Sequence, residues 1–239
     1  MDLSVIIPAK NEQDNIAPLV EEIIQTPGLQ CLYEIIYVDD GSTDDTAGRI
    51  LAVSKTASVP VRLIRHKRSV GQSTAIFTGV AHASGKLIVT LDADGQNNPA
   101  DIPAMLKAAA AFSDSEHFCI AGYRKARKDT AWKRFQSKVA NKIRSSLLGD
   151  DTPDTGCGLK VFPAETFRRL PYFDHMHRFL PALIRRMGGK IVVIEVSHRD
   201  RQTGTSKYNM LGRLGVGIVD LFGVLWLQKR CKHADIISE

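Results

Sequence analysis

The sequence predicts an α/β fold in which a mostly parallel sheet is flanked by helices. Four short runs rich in valine and isoleucine lie between Leu3 and Leu91, and each interval between them is long enough to hold a helix. Such alternation is typical of a doubly wound, Rossmann-like sheet, whose ligands gather at the carboxyl ends of its strands. The 239 residues are enough for one such domain with additional segments and too few for two domains of ordinary size.

The first half of the chain alternates strands and helices in order. Hydrophobic runs of strand length occur at Leu3–Pro8, Glu34–Val38, Val61–Arg65 and Leu87–Leu91. Helical periodicity and capping residues predict helices at Asn15–Gln25, Thr43–Val53, Val70–Ala83 and Pro99–Phe112.

The pattern changes beyond about residue 113. Strands are expected at Phe118–Ala121 and Ile191–Val196, with a basic helix at Trp132–Leu148 and a loop at Asp154–Gly158 between them. The last apolar segment, Leu211–Leu227, carries charged residues and several glycines. Since a membrane span needs roughly 20 clean apolar residues, we expect this segment to be interfacial or buried.

Composition and charge exclude several classes of protein. Apolar residues make up 44% and charged residues 24%, which argues against disorder and fibrous repeats. The 4 cysteines form no C-x-x-C pair, so neither a zinc site nor a disulfide framework is indicated, and a reducing compartment fits best. The start of the chain shows no cleavable apolar signal, which predicts a cytosolic location. A net charge of +6 favours an anionic partner, but no nucleic-acid motif accompanies it, and we predict no nucleic-acid partner.

Three polar motifs directly follow predicted strands. They are P-A-K-N-E at Pro8–Glu12, D-D-G-S-T-D at Asp39–Asp44 and D-A-D-G-Q at Asp92–Gln96. Because the carboxyl ends of parallel strands share one crevice, we expect these carboxylates to converge. An isolated D-x-D is more often a turn with capping acids, and Asp39–Ser42 equally suits a strand-to-helix turn. Directly after an apolar strand, however, the carboxylates offer hard oxygen ligands for Mg²⁺ or Mn²⁺ bound jointly to a diphosphate.

In this order and at this spacing, the three motifs resemble the nucleotide-sugar half of family 2 glycosyltransferases. Within that family the likeness is to dolichyl-phosphate mannose synthases and bacterial polyprenyl-phosphate glycosyltransferases, and it covers nearly the whole chain. It is supported by G-Y-R at 122–124, D-T-G-C-G at 154–158 and R-Q-T-G-T-S-K-Y at 201–208. The resemblance implies a GT-A domain over 1–210, with a nucleotide-sugar half at about 1–112 and an acceptor half at about 113–210. A membrane-interface helix and tail would follow at 211–239.

The resemblance also implies roles for individual residues. The residues that it assigns to nucleotide-sugar binding are Pro8, Asn11, Glu12, Asp39, Asp40 and Asp92. The metal ligands that it implies are Asp92, Asp94 and Gln96. The residues that would bind the acceptor phosphate are Arg124, Arg134, Arg201, Ser206 and Lys207. The catalytic candidates are Asp94, Arg124, Arg134 and Arg201. Two departures leave base and sugar unassigned: Lys10 stands where tyrosine is common, and R-S-V-G-Q at 68–72 replaces the usual asparagine-and-glycine turn.

The reaction implied is the inverting, metal-dependent transfer of one sugar from a UDP- or GDP-sugar to a polyprenyl phosphate of undecaprenyl or dolichyl type. The Q-x-x-R-W element of processive members is missing, which favours a single transfer. A lipid phosphate is already ionised near neutral pH, its second pKa being about 6, and needs no protein base. It does need cations to separate it from the donor phosphates, for which arginine is suited.

Three other activities remain open from the sequence. A family 2 transferase could act on a saccharide or glycan acceptor with Asp154 as the base. A nucleotidyltransferase would release pyrophosphate, and a non-catalytic nucleotide- or nucleic-acid-binding module is suggested only by the basic composition.

The basic helix predicts peripheral attachment to the cytoplasmic face of the (inner) membrane. Apolar residues recur near helical spacing, and basic residues flank them. The apolar set is Trp132, Phe135, Val139, Ile143 and Leu147. A core-packed helix with a basic outer face is the alternative. A small membrane-protein subunit is a possible further partner.

Overall fold

The computed structural model describes residues 1–124, 144–199 and 210–230, with the side chains of the last segment from residue 215 onward. Within these ranges seven strands form one sheet in the order β3-β2-β1-β4-β6-β5-β7. The strands are β1 Leu3–Ala9, β2 Tyr33–Asp39, β3 Val61–Arg65, β4 Leu87–Thr90, β5 Phe118–Tyr123, β6 Lys160–Pro163 and β7 Lys190–Glu195. The predicted mostly parallel α/β sheet is confirmed.

Helices connect the strands and cover both faces of the sheet. They are α1 Ile16–Ile24, α2 Thr46–Ser54, α3 Gln72–Ala81, α4 Ile102–Ala109, α5 Ala164–Arg168, α6 Leu180–Arg186 and α7 Met210–Lys229. Short 3₁₀ turns lie at Pro99–Asp101 and Met176–Arg178, and residues 144–148 are helical. The core lies on both sides of the sheet, with Ile16 and Ile102 packed in one apolar cluster and Phe167 and Leu183 in the other.

Strands β1 to β4 are parallel to one another and lie at the centre and one edge of the sheet. All seven residues of β2 are buried, as expected for a strand covered by helices on both faces. The register pairs Ala9 with Asp39, so the motifs that follow β1 and β2 begin side by side.

Strand β6 was not predicted. It has four residues, begins with Lys160 and ends with Pro163, so neither alternation nor a long apolar run marks it. It runs antiparallel to both β4 and β5, with Lys160 opposite Thr90. Because of this direction, the loop that precedes β6 reaches the carboxyl end of β4.

Helix α7 covers the predicted apolar segment Leu211–Leu227 and is anchored at its end. The Nε of Arg186 donates to the carbonyl oxygen of Leu227 at 2.9 Å, and the Nε2 of Gln228 donates to that of Leu148 at 2.9 Å. In the part of the chain that the structure describes, no helix is long and apolar enough to cross a membrane. Of the predicted basic helix, residues 132–143 lie outside the described ranges.

Candidate functional site

A cavity of about 700 Å³ opens at the carboxyl ends of β1 and β4. Its walls come mainly from four parts of the chain: the strand-end motifs, residues 69–76 at the start of α3, the loop at Thr155–Gly158 and a later segment at Asp174–Arg178. The predicted site residues among its lining are Pro8, Glu12, Asp40, Asp92, Asp94, Gln96 and Arg124. Arg134, Arg201, Ser206 and Lys207 lie outside the described residues, and their roles stay predictions.

Asn11 and Asp39 are not among the residues that line this cavity. Asn11 has a left-handed backbone, with φ of 54°, and its side-chain oxygen accepts a hydrogen bond from the N–H of Thr43 at 2.8 Å. The buried carboxylate of Asp39 accepts from the N–H of Ser42 at 2.9 Å and lies 3.2 Å from the Nε of Arg65. Both side chains therefore fix the turn after β2, and their predicted contact with the nucleotide stays a prediction.

Asp40 organises the loop that leads into α3. Its carboxylate accepts hydrogen bonds from the hydroxyl of Ser69 at 2.7 Å and from the N–H groups of Val70 and Gly71, each at 2.9 Å. The ring of His66 lies 2.8 Å away. Burial opposes ionisation, but these hydrogen bonds, that of His66 foremost, keep the pKa of Asp40 below its ordinary value. The R-S-V-G-Q sequence thus forms an ordered turn on an ionised carboxylate.

Asp92 is held tightly at the floor of the cavity. The Nε2 of Gln72 donates to its Oδ1 at 2.9 Å. A Cβ at Gly158 would lie 2.2 Å from its Oδ2, so only glycine fits there. Burial and then the neighbouring charge of Asp94 raise the pKa of Asp92 to about 6. A nearby cation would therefore stabilise the ionised form of this carboxylate.

The residues of the D-x-D-x-Q motif fit a divalent cation that is shared with a diphosphate. Asp92, Asp94 and Gln96 all line the cavity, and Gly95 allows the turn between them with φ of 72°. Among the described residues, no three His, Cys, Asp or Glu side chains gather closely enough to hold a metal by themselves. Mg²⁺ in phosphate-handling enzymes is usually bound through one or two carboxylates together with the substrate's phosphates. The oxygen ligands of this motif suit a cation that is also bound by substrate phosphates, and they do not suit a site made of protein ligands alone.

Arg124, which also lines the cavity, forms a two-point ion pair with Asp154. The Nε of Arg124 lies 2.7 Å from one carboxylate oxygen of Asp154, and the Nη2 lies 2.9 Å from the other. Their side chains are 11% and 5% exposed. Although burial acts in the opposite sense, the hydrogen-bonded carboxylate raises the pKa of Arg124. Because both oxygens of Asp154 bind a permanent cation, the carboxylate is a poor general base, and the geometry favours a role in orienting Arg124.

The segment Asp174–Arg178 completes the cavity wall and was not assigned from the sequence. His175 has a left-handed backbone, with φ of 64°, and its Nδ1 lies 3.2 Å from a carboxylate oxygen of Asp220 in α7. The Nδ1 of His177 lies 2.7 Å from the hydroxyl of Ser73, which is buried in α3. The signal that could have found this wall is the D-H-M-H-R sequence itself, a cluster of titratable residues.

Comparisons with known proteins agree with the geometry of the cavity. Residues 4–170 match the model of the family described as Glycosyl transferase family 2. The chain is 32% identical over 233 residues to the dodecaprenyl-phosphate galacturonate synthase of Rhizobium johnstonii, covering 96% of this chain and 68% of that protein. It is 30% identical over 210 residues to the undecaprenyl-phosphate 4-deoxy-4-formamido-L-arabinose transferase of Sodalis glossinidius, covering 87% of this chain and 63% of that protein. The chain thus spans about two thirds of the length of these relatives.

Solved structures show the same fold at low sequence identity. Glucosyl-3-phosphoglycerate synthase from Mycobacterium tuberculosis, in a complex with Mn²⁺, UDP-glucose and glycerol 3-phosphate, superposes with a TM-score of 0.65 at 18% identity. The match covers 98% of this chain and 82% of that one. At this identity the likeness concerns the GT-A-like fold alone.

Proposed function

The chain belongs to glycosyl transferase family 2, and on that premise we propose that it transfers one sugar from a UDP- or GDP-sugar to a polyprenyl phosphate, with inversion at the anomeric carbon. The observation that carries the proposal is one cavity lined both by the D-x-D carboxylates and by Arg124, which Asp154 holds in an ion pair. Two relatives at 32% and 30% identity are named for transfer to dodecaprenyl or undecaprenyl phosphate, which supports this class of acceptor.

The donor side of the proposal rests on the strand-end motifs. Pro8, Glu12 and Asp40 line the part of the cavity that would hold the nucleoside, with Asp92 near the ribose and diphosphate. Asp94 and Gln96, together with Asp92, would hold Mg²⁺ or Mn²⁺. When bound, the cation would neutralise the charge that builds on the departing diphosphate.

The acceptor side rests on Arg124. An ionised lipid phosphate must approach the donor diphosphate, and a guanidinium separates two phosphates better than a point charge because it donates in a planar fork. Asp154 uses two of the donors of Arg124 and fixes its plane. The acceptor phosphate is then its own nucleophile, and no protein base is required. Arg134, Arg201, Ser206 and Lys207 would complete the phosphate site.

We further infer peripheral binding to the cytoplasmic face of the membrane, with α7 as the part of the described chain that contacts lipid. Val219, Phe222 and Trp226 are 70%, 64% and 60% exposed on this helix. The guanidinium of Arg230 lies 5.9 Å from the ring centre of Trp226, where it can bind anionic lipid headgroups. On this proposal residues 1–210 form the catalytic domain, residues 211–239 form the membrane-interface segment, and a small membrane subunit could assist.

The decisive experiment offers a panel of UDP- and GDP-sugars to the purified chain with undecaprenyl phosphate in detergent and Mg²⁺ or Mn²⁺. Mass spectrometry of the lipid should reveal one polyprenyl-phosphate sugar bearing a single residue. Transfer to a soluble saccharide with none to the lipid would replace the lipid-phosphate acceptor by a glycan acceptor. Release of pyrophosphate would indicate nucleotidyl transfer instead.

A further inference from the structure

Lys160 is a buried lysine in the lining of the cavity. It is 3% exposed, and its ammonium donates to the carbonyl oxygen of Cys157 and lies 3.5 Å from that of Thr155. A buried ammonium is costly unless polar partners surround it. Apolar residues follow it in β6, so its side chain needs an explanation beyond packing.

The partners of Lys160 belong to the loop that carries Asp154. Lys160 lies opposite Thr90 in the antiparallel pairing of β6 with β4. The hydroxyl of Thr90 donates to the carbonyl oxygen of Gly158 at 2.6 Å. Two side chains from paired strands therefore hold three main-chain carbonyls of the loop at residues 155–158.

Lys160 also balances charge at the donor carboxylates. Gly158, in the loop that Lys160 holds, packs so closely against Asp92 that a Cβ there would lie 2.2 Å from its Oδ2. Lys160 lines the same cavity as both carboxylates. Its positive charge therefore acts on Asp92 and Asp94, and its hydrogen bonds hold the loop that carries Asp154.

We propose that Lys160 is a positioning residue for the transfer reaction: it fixes the loop that orients Arg124 through Asp154, and it sets the charge of the site where a divalent cation would bind. This inference rests on the proposed function, which assigns Arg124 to the acceptor phosphate and Asp92 and Asp94 to the cation. It adds one group that couples the acceptor and donor sides.

The test compares Lys160→Met and Lys160→Arg with the wild type. Mn²⁺ binding is measured by electron paramagnetic resonance in the presence of UDP and, separately, GDP, and kcat/KM is measured for undecaprenyl phosphate. Because Lys160→Met removes a positive charge beside two carboxylates, Mn²⁺ should bind about 3- to 30-fold more tightly at pH 8. Because the loop is released, kcat/KM for the acceptor should fall about 10- to 100-fold. Lys160→Arg should leave Mn²⁺ affinity near that of the wild type and restore part of the rate.

A matched control is Lys190→Met, which removes an exposed lysine of β7 that pairs with Glu116 and should change neither quantity. Mn²⁺ affinity that is unchanged or weaker in Lys160→Met would overturn the proposal, as would a parallel loss of Mn²⁺ binding, rate and thermal stability. If Lys160→Met does not fold, Lys160→Gln replaces it as the neutral variant, and wild-type Mn²⁺ affinity and rate in Lys160→Gln would refute the positioning role. Failure of the wild type to glycosylate undecaprenyl phosphate would reject the proposed function, and Mn²⁺ binding would still decide for or against Lys160. A wild type that binds no Mn²⁺ would reject the metal site, and the rates of the two variants would then decide.

Discussion

Replacing Asp92 with asparagine should stabilise the metal-free protein while abolishing its activity. The raised pKa of this carboxyl, about 6 against an ordinary 3.8, corresponds to about 3 kcal/mol of destabilisation at pH 8. This is an upper limit, because Asp92 lines the cavity and is only partly buried. Asparagine removes the charge and keeps an oxygen that can accept the hydrogen bond from Gln72. For a domain of this size each 1 kcal/mol shifts Tm by about 2–4 °C, so the gain should reach about 6–12 °C at most.

The pH dependence of this gain follows from the direction of the shift. Because the folded-state pKa of Asp92 exceeds the unfolded value, the stability that protonation provides is complete below about pH 4 and is lost as the pH rises through about 6. The advantage of Asp92→Asn should therefore be full at pH 8 and vanish near pH 4.

Differential scanning calorimetry in EDTA across this pH range measures the effect. Asp114→Asn, at a side chain that is 92% exposed, is the control and should leave Tm unchanged. Addition of Mn²⁺ with UDP or GDP should raise Tm for the wild type and not for Asp92→Asn. A variant less stable than the wild type at pH 8, or a gain independent of pH, would refute the reasoning about this carboxylate.

Three further predictions follow from the same geometry. Activity should require a divalent cation, and Asp94→Asn should lose most of it with an unchanged Tm; full turnover in excess EDTA would contradict the metal role. Arg124→Ala should lower kcat/KM for undecaprenyl phosphate by tens to several hundred-fold, about 2–4 kcal/mol, and Arg124→Lys should recover part of it. Asp154→Asn should weaken acceptor binding without steepening the pH profile of kcat/KM. Kinetics against pH measure both effects, and an Asp154→Asn rate that collapses and is restored by rising pH would favour a catalytic base. The double variant Phe222→Glu/Trp226→Glu should no longer float with anionic liposomes at low salt, and its circular dichroism spectrum should match that of the wild type. Unchanged flotation would exclude α7 as the lipid contact.

The sequence was most informative where local patterns determine structure. The apolar runs of β1 to β4 fix a parallel sheet, and a parallel sheet brings the motifs that follow its strands to one edge. The predicted starts of helices were less accurate, because polar residues that resemble helix caps belong to the preceding turns. The predicted helix at Thr43–Val53 begins at Thr46, whose N–H is bound by the carboxylate of Asp44, and α3 begins only after Gly71, which has φ of 99°.

Long-range pairing was beyond the sequence. Arg124 and Asp154 were both singled out, but as a phosphate ligand and an alternative base; their pairing depends on strands β5 and β6, and no periodicity marks β6. Asp40 was predicted to bind the nucleotide, and because it lines the cavity that role stays a prediction. Its bonds to Ser69, Val70 and Gly71 were not predicted, because they depend on a turn that departs from the family pattern. Partners that are remote in sequence decide what a polar side chain does, and a single sequence does not show them.

The antiparallel direction of β6 is what unites the two halves of the site. A parallel strand in that place would carry its preceding loop to the amino end of β4, at the opposite edge of the sheet from Asp92. With β6 reversed, the Asp154–Gly158 loop meets the carboxyl end of β4, where Gly158 packs against Asp92 and Lys160 lies opposite Thr90. Because β6 pairs with both β4 and β5, the loop before it reaches Asp92 after β4 and Arg124 after β5. A substitution in β6 should therefore disturb acceptor use and cation affinity together, whereas one in the turn after β2 should affect the donor alone.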